Sequence, residues 1–96
     1  MALESGRAFM EQELSELEAR YEGGFPVSVY RSVVMGHAGV EVLKAAEGTD
    51  QSGPAELVVL GSRGLGGFRG LLLGSVTTYA AHHLTCPLLI IPPVAD

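Results

Sequence analysis

A glycine-rich stretch between an apolar run and a helical pattern constrains this chain more than any other feature. Six of the 13 glycines in the 96 residues fall between Gly61 and Gly74. Each glycine costs about 0.5–1 kcal/mol in the conformational entropy lost on folding. The total for six glycines is a heavy cost for a loop that only connects two elements. The glycines do not repeat every third residue, so a collagen helix is excluded. The crowding therefore predicts a loop whose backbone turns sharply or approaches a ligand closely.

The residues on either side of this loop predict two strands and a helix. Leu57–Leu60 is continuously apolar, which is typical of a parallel strand covered on both faces. Ser75–Leu84 carries its apolar residues on one helical face, and Pro87 ends the helix. Leu88–Ile91 is a second fully apolar strand. The loop is thus expected to join a buried strand to the start of a helix.

The first half of the chain predicts further helices and a strand in alternating order. Ala2–Glu22 has helical periodicity and is followed by a Gly-Gly pair that ends the helix. Val27–Met35 is rich in β-branched residues and predicts a half-buried strand, and Val40–Glu47 predicts a short helix that ends at Gly48. The order helix, strand, helix, strand, helix, strand predicts an α/β fold: an open, mainly parallel sheet with flanking helices.

The amino-acid composition excludes several classes of protein. Hydrophobic residues make up 47% of the chain, which argues against disorder, and no apolar run approaches the roughly 20 residues of a membrane span. The single cysteine, Cys86, suits a reducing compartment, so we expect a cytoplasmic protein without a membrane partner. The net charge is −5, and residues 1–24 hold −4 of it. Six basic residues are too few for a nucleic-acid surface.

The position of the glycine loop suggests phosphate binding. Open α/β folds bind ligands at the carboxyl edge of the sheet, and helix N-termini attract anions through free amides and a partial positive charge. Arg63 and Arg69 would add positive charge to this loop. A P-loop is excluded because Gly74 is not followed by lysine, and Arg69 stands where the dinucleotide fingerprint needs glycine. A purely structural loop remains the alternative interpretation.

The spacing of the loop is similar to a known family motif. Gly61-Ser62-Arg63-Gly64, nine further residues and Gly74-Ser75 give the pattern G-x2-G-x9-G-S between a strand and a helix. This pattern resembles the nucleotide-binding motif of the universal stress protein family. The resemblance extends over Leu57–Pro92 and includes the closing strand after Cys86.

The resemblance implies a Rossmann-like fold of the adenine-nucleotide alpha-hydrolase type with a five-stranded parallel sheet. Residues 1–96 would be a single domain that is incomplete at its N-terminus and lacks the first two strands and the first helix. The implied cofactor is ATP, accompanied by Mg²⁺, in stress-response signalling or regulation. By matching positions, the implied nucleotide contacts are Gly61, Arg63, Gly64, Gly74, Ser75 and Val76. Ser75 could also cap the helix that follows.

The missing region has two consequences. It would carry the adenine side of the pocket, so ATP binding is expected to be weak. It would also leave a gap in the sheet, so that Val27–Met35 pairs directly with Leu57–Leu60, a partner chain fills the gap, or the segment is mobile. Leu88–Ile91 would be an edge strand, and the resemblance implies a homodimer through it. The alternative function is a dimerisation or protein-interaction module of the same fold that binds no nucleotide.

Other reactive residues favour binding over catalysis. His82 and His83 are adjacent, so they point about 100° apart on a helix and do not form a metal site. His83 is expected in the core, and Cys86 is expected to be a small buried hydrophobe. Ser75 has no positioned base in the sequence. We therefore predict no catalytic residue and no metal ligand, with weak ATP hydrolysis at most.

Overall fold

Three helices and two strands make up the secondary structure of the computed structural model, which describes residues 2–49, 52–62 and 74–92. These elements are α1 (Ala2–Glu18), α2 (Ala38–Glu47), β1 (Val58–Gly61), α3 (Ser75–His83) and β2 (Leu88–Ile91). They belong to two units, residues 1–35 and residues 36–96. None of the described helices has the length and apolar character that crossing a membrane demands. The expectation that residues 1–96 form a single domain, incomplete at its N-terminus, stays a prediction.

Helix α1 is shorter than its periodicity predicts. It ends at Glu18 instead of Glu22. The amides of Arg20 and Tyr21 then donate to the carbonyl oxygens three residues earlier, at 3.0 and 2.9 Å, which tightens the chain into turns. The Gly23–Gly24 pair follows with φ values of 81° and 88°, a conformation that glycine adopts without strain. The predicted helix is therefore present, but it ends before the two glycines.

The strand predicted over Val27–Met35 is wrong. None of these residues belongs to a strand, and the Tyr30 side chain is 93% exposed. The segment instead contacts α1, where the Arg31 guanidinium lies 2.7 Å from the Glu11 carboxylate. β-branched residues stabilise a strand only when a neighbouring strand completes the hydrogen bonding, and the described part of this unit contains a helix instead.

Helix α2 begins at a histidine cap and packs closely on α3. The His37 Nδ1 atom accepts a hydrogen bond from the Val40 amide at 3.3 Å, and Gly48 ends the helix with φ 87°. A Cβ on Gly39 would lie 2.6 Å from a ring carbon of Tyr79 in α3. The absence of a side chain at Gly39 therefore sets how closely the two helices approach.

Strands β1 and β2 form a parallel pair, as predicted. Their register runs from Val58 opposite Leu88 to Gly61 opposite Ile91. Half-buried and exposed side chains alternate along both strands, and α3 packs against β2. The described sheet has only these two strands.

The prediction that the first apolar run is covered on both faces is wrong for the described residues. Val59 in β1 and Leu89 in β2 point to the same side, and each is about half exposed, at 53% and 49%. The described helices of this unit pack as a layer, α2 on α3 and α3 on β2, and a single helical layer covers one face of a sheet. The other face therefore presents apolar side chains to solvent.

Candidate functional site

The end of β1 and the start of α3 meet where the sequence predicts phosphate contacts. We call this region, residues 61–62 and 74–77, the β1–α3 junction. The predicted contacts that it contains are Gly61, Gly74, Ser75 and Val76. The other two predicted contacts, Arg63 and Gly64, lie outside the described residues. The structure thus brings together the two ends of the G-x2-G-x9-G-S pattern.

Three hydrogen bonds hold the junction. The Thr77 hydroxyl donates to the Gly61 carbonyl oxygen at 2.6 Å, and Thr77 is only 2% exposed. The Gly74 amide donates to the Ser62 carbonyl oxygen. The Ser62 amide donates to the Ile91 carbonyl oxygen at the end of β2, at 2.8 Å. The ends of both strands and the first turn of α3 are therefore fixed to one another.

The first turn of α3 leaves three backbone amides without an acceptor in the helix. The Thr78 amide donates to the Gly74 carbonyl oxygen at 3.0 Å, which is the first bond of the helix. The amides of Ser75, Val76 and Thr77 precede this bond, so the helix itself offers them no acceptor. They lie at the positive end of the helix dipole. Such amides bind phosphate and carboxylate groups without any charged side chain.

Ser75 does not cap this helix, so that prediction is wrong. The N-cap is Gly74, with the extended values φ −76° and ψ 168°, and Ser75 is the first helical residue. The hydrogen bond between the Gly74 amide and Ser62 holds Gly74 in its extended conformation. The helix therefore begins one residue earlier than a serine cap would require. Ser75 is instead exposed at the first turn.

Two hydroxyl residues at the junction were missed by sequence reasoning. Thr77 was assigned no role, although it stands three residues after Gly74 and its hydroxyl reaches the strand end. Ser62 follows Gly61 directly and is 5% exposed. The structure gives its Oγ atom no hydrogen-bond partner. The sequence did contain a signal for these two residues, because a hydroxyl side chain stands at each end of the glycine loop.

The two histidines considered as metal ligands, and Cys86, lie at the other end of α3. His83 is exposed and not in the core as predicted: its Nδ1 atom lies 2.8 Å from the Tyr79 carbonyl oxygen and its ring stacks on Tyr79 at 4.2 Å between centroids. This stacking holds the ring along the helix surface. Cys86 is half-buried and lines a cavity of about 270 Å³ between the ends of α2 and α3. None of the four predicted nucleotide contacts that the structure describes lines that cavity.

Comparisons with known proteins identify the family. The model of the universal stress protein family matches residues 1–92. A universal stress protein of Mycolicibacterium smegmatis is 37% identical over 90 residues, which cover 94% of this chain and 28% of that protein. Universal stress protein Rv2623 of Mycobacterium tuberculosis is 33% identical over 85 residues, 88% of this chain and 27% of the relative.

A shorter match covers part of the chain. Universal stress protein Sll1388 of a Synechocystis species is 54% identical over 37 residues, 38% of this chain and 24% of that protein. No solved structure gives a significant match. The matched residues cover about a quarter of the length of each of these three relatives.

The chain belongs to the universal stress protein family. The family match covers residues 1–92 and so extends well beyond Leu57–Pro92, the region that carries the resemblance in sequence. Membership confirms the predicted α/β fold class, and the parallel β1–β2 pair is consistent with it. The chain is thus a domain of a stress-response family.

We expect Thr77→Val to destabilise the domain. The substitution keeps the β-branched shape but removes the hydroxyl that satisfies the Gly61 carbonyl, so the free energy of unfolding should fall by about 1–3 kcal/mol. Thr78→Val is the matched control, because Thr78 is exposed in the same helix, and its effect should stay within about 0.5 kcal/mol. Urea denaturation measures both. Equal midpoints for the two variants would contradict the role given to Thr77.

Proposed function

We propose that the β1–α3 junction binds the phosphate groups of an adenine nucleotide, most simply ATP, in stress-response regulation. The observation that supports this most is the convergence of Gly61 with the first turn of α3, where three amides have no acceptor within the helix. The hydrogen bonds at the junction hold these groups in place before any ligand arrives. Preorganised donors lose little entropy on binding.

The chemistry of the junction suits a phosphate group. Its six residues are neutral and supply only amides, hydroxyls, carbonyls and one apolar side chain. No carboxylate among them would repel an anion. Arg63 and Arg69, which lie outside the described residues, are the proposed sources of positive charge. Mg²⁺ would accompany the nucleotide as its counter-ion, because the junction residues offer no carboxylate ligand for it.

The same residues favour a binding function over an enzymatic one. Ser75 is exposed at the start of α3, and the junction contains no histidine or carboxylate that could take its proton. Donors that hold phosphate oxygens do not by themselves activate water. We therefore propose a nucleotide-responsive regulatory domain, located in the cytoplasm, where a free thiol such as Cys86 stays reduced.

Affinity for ATP is expected to be low. An anion at a helix terminus gains about 0.3–1 kcal/mol and up to about 2 kcal/mol in a favourable site. Millimolar binding requires about 4 kcal/mol. The proposed contacts of the junction are to the phosphate groups only. Calorimetry should therefore give a dissociation constant in the millimolar range or above.

Gly74→Val should abolish this binding. Gly74 is buried at the N-cap, and valine is among the poorest capping residues, so a branched side chain there would displace the first turn of α3. Gly53→Val is the matched control, since a Cβ on Gly53 would meet nothing within 4 Å. ³¹P NMR line broadening of ATP measures binding, and circular dichroism checks folding. A folded Gly74→Val protein that broadens ATP as the wild type does would contradict the proposed site.

A second candidate function rests on the exposed face of the sheet. The residues of this face, which we call the apolar strip, are Leu57, Val59, Leu89 and Ile91, each about half exposed. Contiguous exposed apolar residues mark interaction surfaces, and an uncovered edge strand pairs readily with another chain. We propose that β2 mediates a homodimer. Pro92 would limit how far strand pairing can extend.

Leu89→Lys should convert such a dimer to a monomer. The side chain is about half exposed on β2, so lysine can extend into solvent without disturbing the fold, but two lysines would repel each other across a symmetric interface. Tyr30→Lys is the control, because this residue is exposed and lies in the other unit. Light scattering reports the mass. A Leu89→Lys protein with the mass of the wild-type dimer would eliminate this interface.

A further inference from the structure

The cavity between the ends of α2 and α3, which we call the α2–α3 cavity, is a second place where a small molecule fits. Its volume is about 270 Å³, and its described lining comes from the end of α2, the loop after α2 and the end of α3. It includes the last residue of each helix, Glu47 and His83. The β1–α3 junction lies at the opposite end of α3, so a ligand of this cavity would not use the proposed phosphate contacts.

The size and walls of the cavity suit an apolar body of about one ring. A cavity of about 150 Å³ holds benzene, and typical sites for larger ligands measure about 300–1,000 Å³. A volume of about 270 Å³ lies between these values. Much of the described lining is aliphatic, namely Leu43, Ala46, Pro54, Ala55 and Leu84. Burial of a ring against such side chains is favourable.

Backbone contacts hold the walls of the cavity in place. The Ala55 amide donates to the Ala46 carbonyl oxygen at 2.8 Å, which fastens the loop to the end of α2. A Cβ on Gly48 would lie 2.5 Å from the Gly53 carbonyl oxygen, so the two sides of this loop are in close contact. On the other wall, the Leu84 amide donates back into α3 at 2.8 Å. A site that is formed before its ligand arrives loses little entropy on binding.

The charges around the cavity favour a cation. The C-terminal ends of α2 and α3 both border it, and a helix C-terminus carries a partial negative charge. Glu47 adds a carboxylate, which forms no ion pair in the described part of the chain. None of the described lining residues is lysine or arginine. Lys44, in the last turn of α2, lies 3.2 Å from the Glu41 carboxylate instead.

The polar lining residues supply hydrogen-bond acceptors. The His83 Nδ1 atom lies 2.8 Å from the Tyr79 carbonyl oxygen, and a carbonyl oxygen only accepts, so Nδ1 carries the proton. In the neutral ring, Nε2 is therefore an acceptor. The Glu47 carboxylate and the Thr85 hydroxyl are further acceptors among the lining residues. An ammonium group, which has three N–H donors, matches this set.

We propose that the α2–α3 cavity binds a small primary amine whose ammonium group pairs with Glu47 and whose apolar body of about one ring lies between the helix ends. This site is independent of the proposed nucleotide function, because it uses none of the junction residues. 2-Phenylethylamine has the required composition and serves as the probe. Its affinity is expected in the millimolar range, because a ligand with few atoms makes few contacts.

Three probes with the same ring test the preference for positive charge. The full chain is titrated with 2-phenylethylamine, neutral 2-phenylethanol and anionic phenylacetate at about pH 8, above the range in which histidines ordinarily gain a proton. Cys86, the single cysteine of the chain, lines the cavity, so a bound ligand should slow its reaction with the thiol reagent methyl methanethiosulfonate. The amine should protect Cys86 at concentrations about tenfold lower than the alcohol, and phenylacetate should not protect it.

Two variants with matched controls locate the ligand. Glu47→Gln should weaken protection by the amine about two- to fivefold and leave protection by the alcohol unchanged, because it removes only the charge of an exposed carboxylate. Glu56→Gln, at an exposed glutamate of the same unit outside the cavity lining, should change neither. Ala46→Leu should fill the cavity and abolish the amide chemical-shift changes that the amine causes in residues 43–47 and 83–86. Ala45→Leu, at an exposed position of the same helix, should preserve them.

Each contrary outcome removes a defined part of the proposal, and circular dichroism confirms that the variants compared are folded. Equal protection by the amine and the alcohol, or stronger protection by phenylacetate, would overturn the preference for a cation. Equal weakening by Glu47→Gln and Glu56→Gln would overturn the pairing with Glu47. If the amine neither protects Cys86 nor shifts the amides that line the cavity, the site is overturned as a whole. ATP binding at the junction is measured separately and stands or fails on its own.

Discussion

The hydrogen bond from the Thr77 hydroxyl to the Gly61 carbonyl oxygen is the constraint on which the candidate site depends. It joins residues 16 positions apart, at the two ends of the glycine loop, and the Gly74–Ser62 backbone bond lies beside it. Closing a loop of this length costs conformational entropy, and these bonds offset part of that cost during folding. The amides of the first turn are thereby held at the carboxyl end of β1 without help from a ligand.

The parallel strand pair extends this constraint into the rest of its unit. Ser62 donates to Ile91, so the end of β2 belongs to the same hydrogen-bonded group as the end of β1 and the start of α3. One face of the pair is packed and the other presents the apolar strip. Phosphate binding at the strand ends and association through the strip would use different surfaces. The two proposed functions are therefore compatible within one domain.

Local signals predicted much of this arrangement. The bounds of β2 were predicted correctly, and those of α3 to within one residue, because an apolar run and the proline before β2 mark them clearly. Motif spacing also placed Gly61 and Gly74 at the two ends of the glycine loop. Long-range contacts explain the errors. Val27–Met35 has strand-forming residues but contacts a helix, and His83 stacks on Tyr79 at the surface although its helical position suggested burial. The contact between the Thr77 hydroxyl and Gly61 depends on the tertiary structure, and motif spacing alone does not contain that information.

Amide chemical shifts of the full chain during an ATP titration test the central claim most directly. The account predicts that millimolar ATP shifts the amide resonances of residues 61–62 and 74–77 first and most, with smaller changes toward the end of α3. Inorganic triphosphate should shift the same resonances, because the proposed contacts are to phosphate. Changes centred instead on the cavity near His83 and Cys86, or none at any residue, would contradict a phosphate site at the β1–α3 junction.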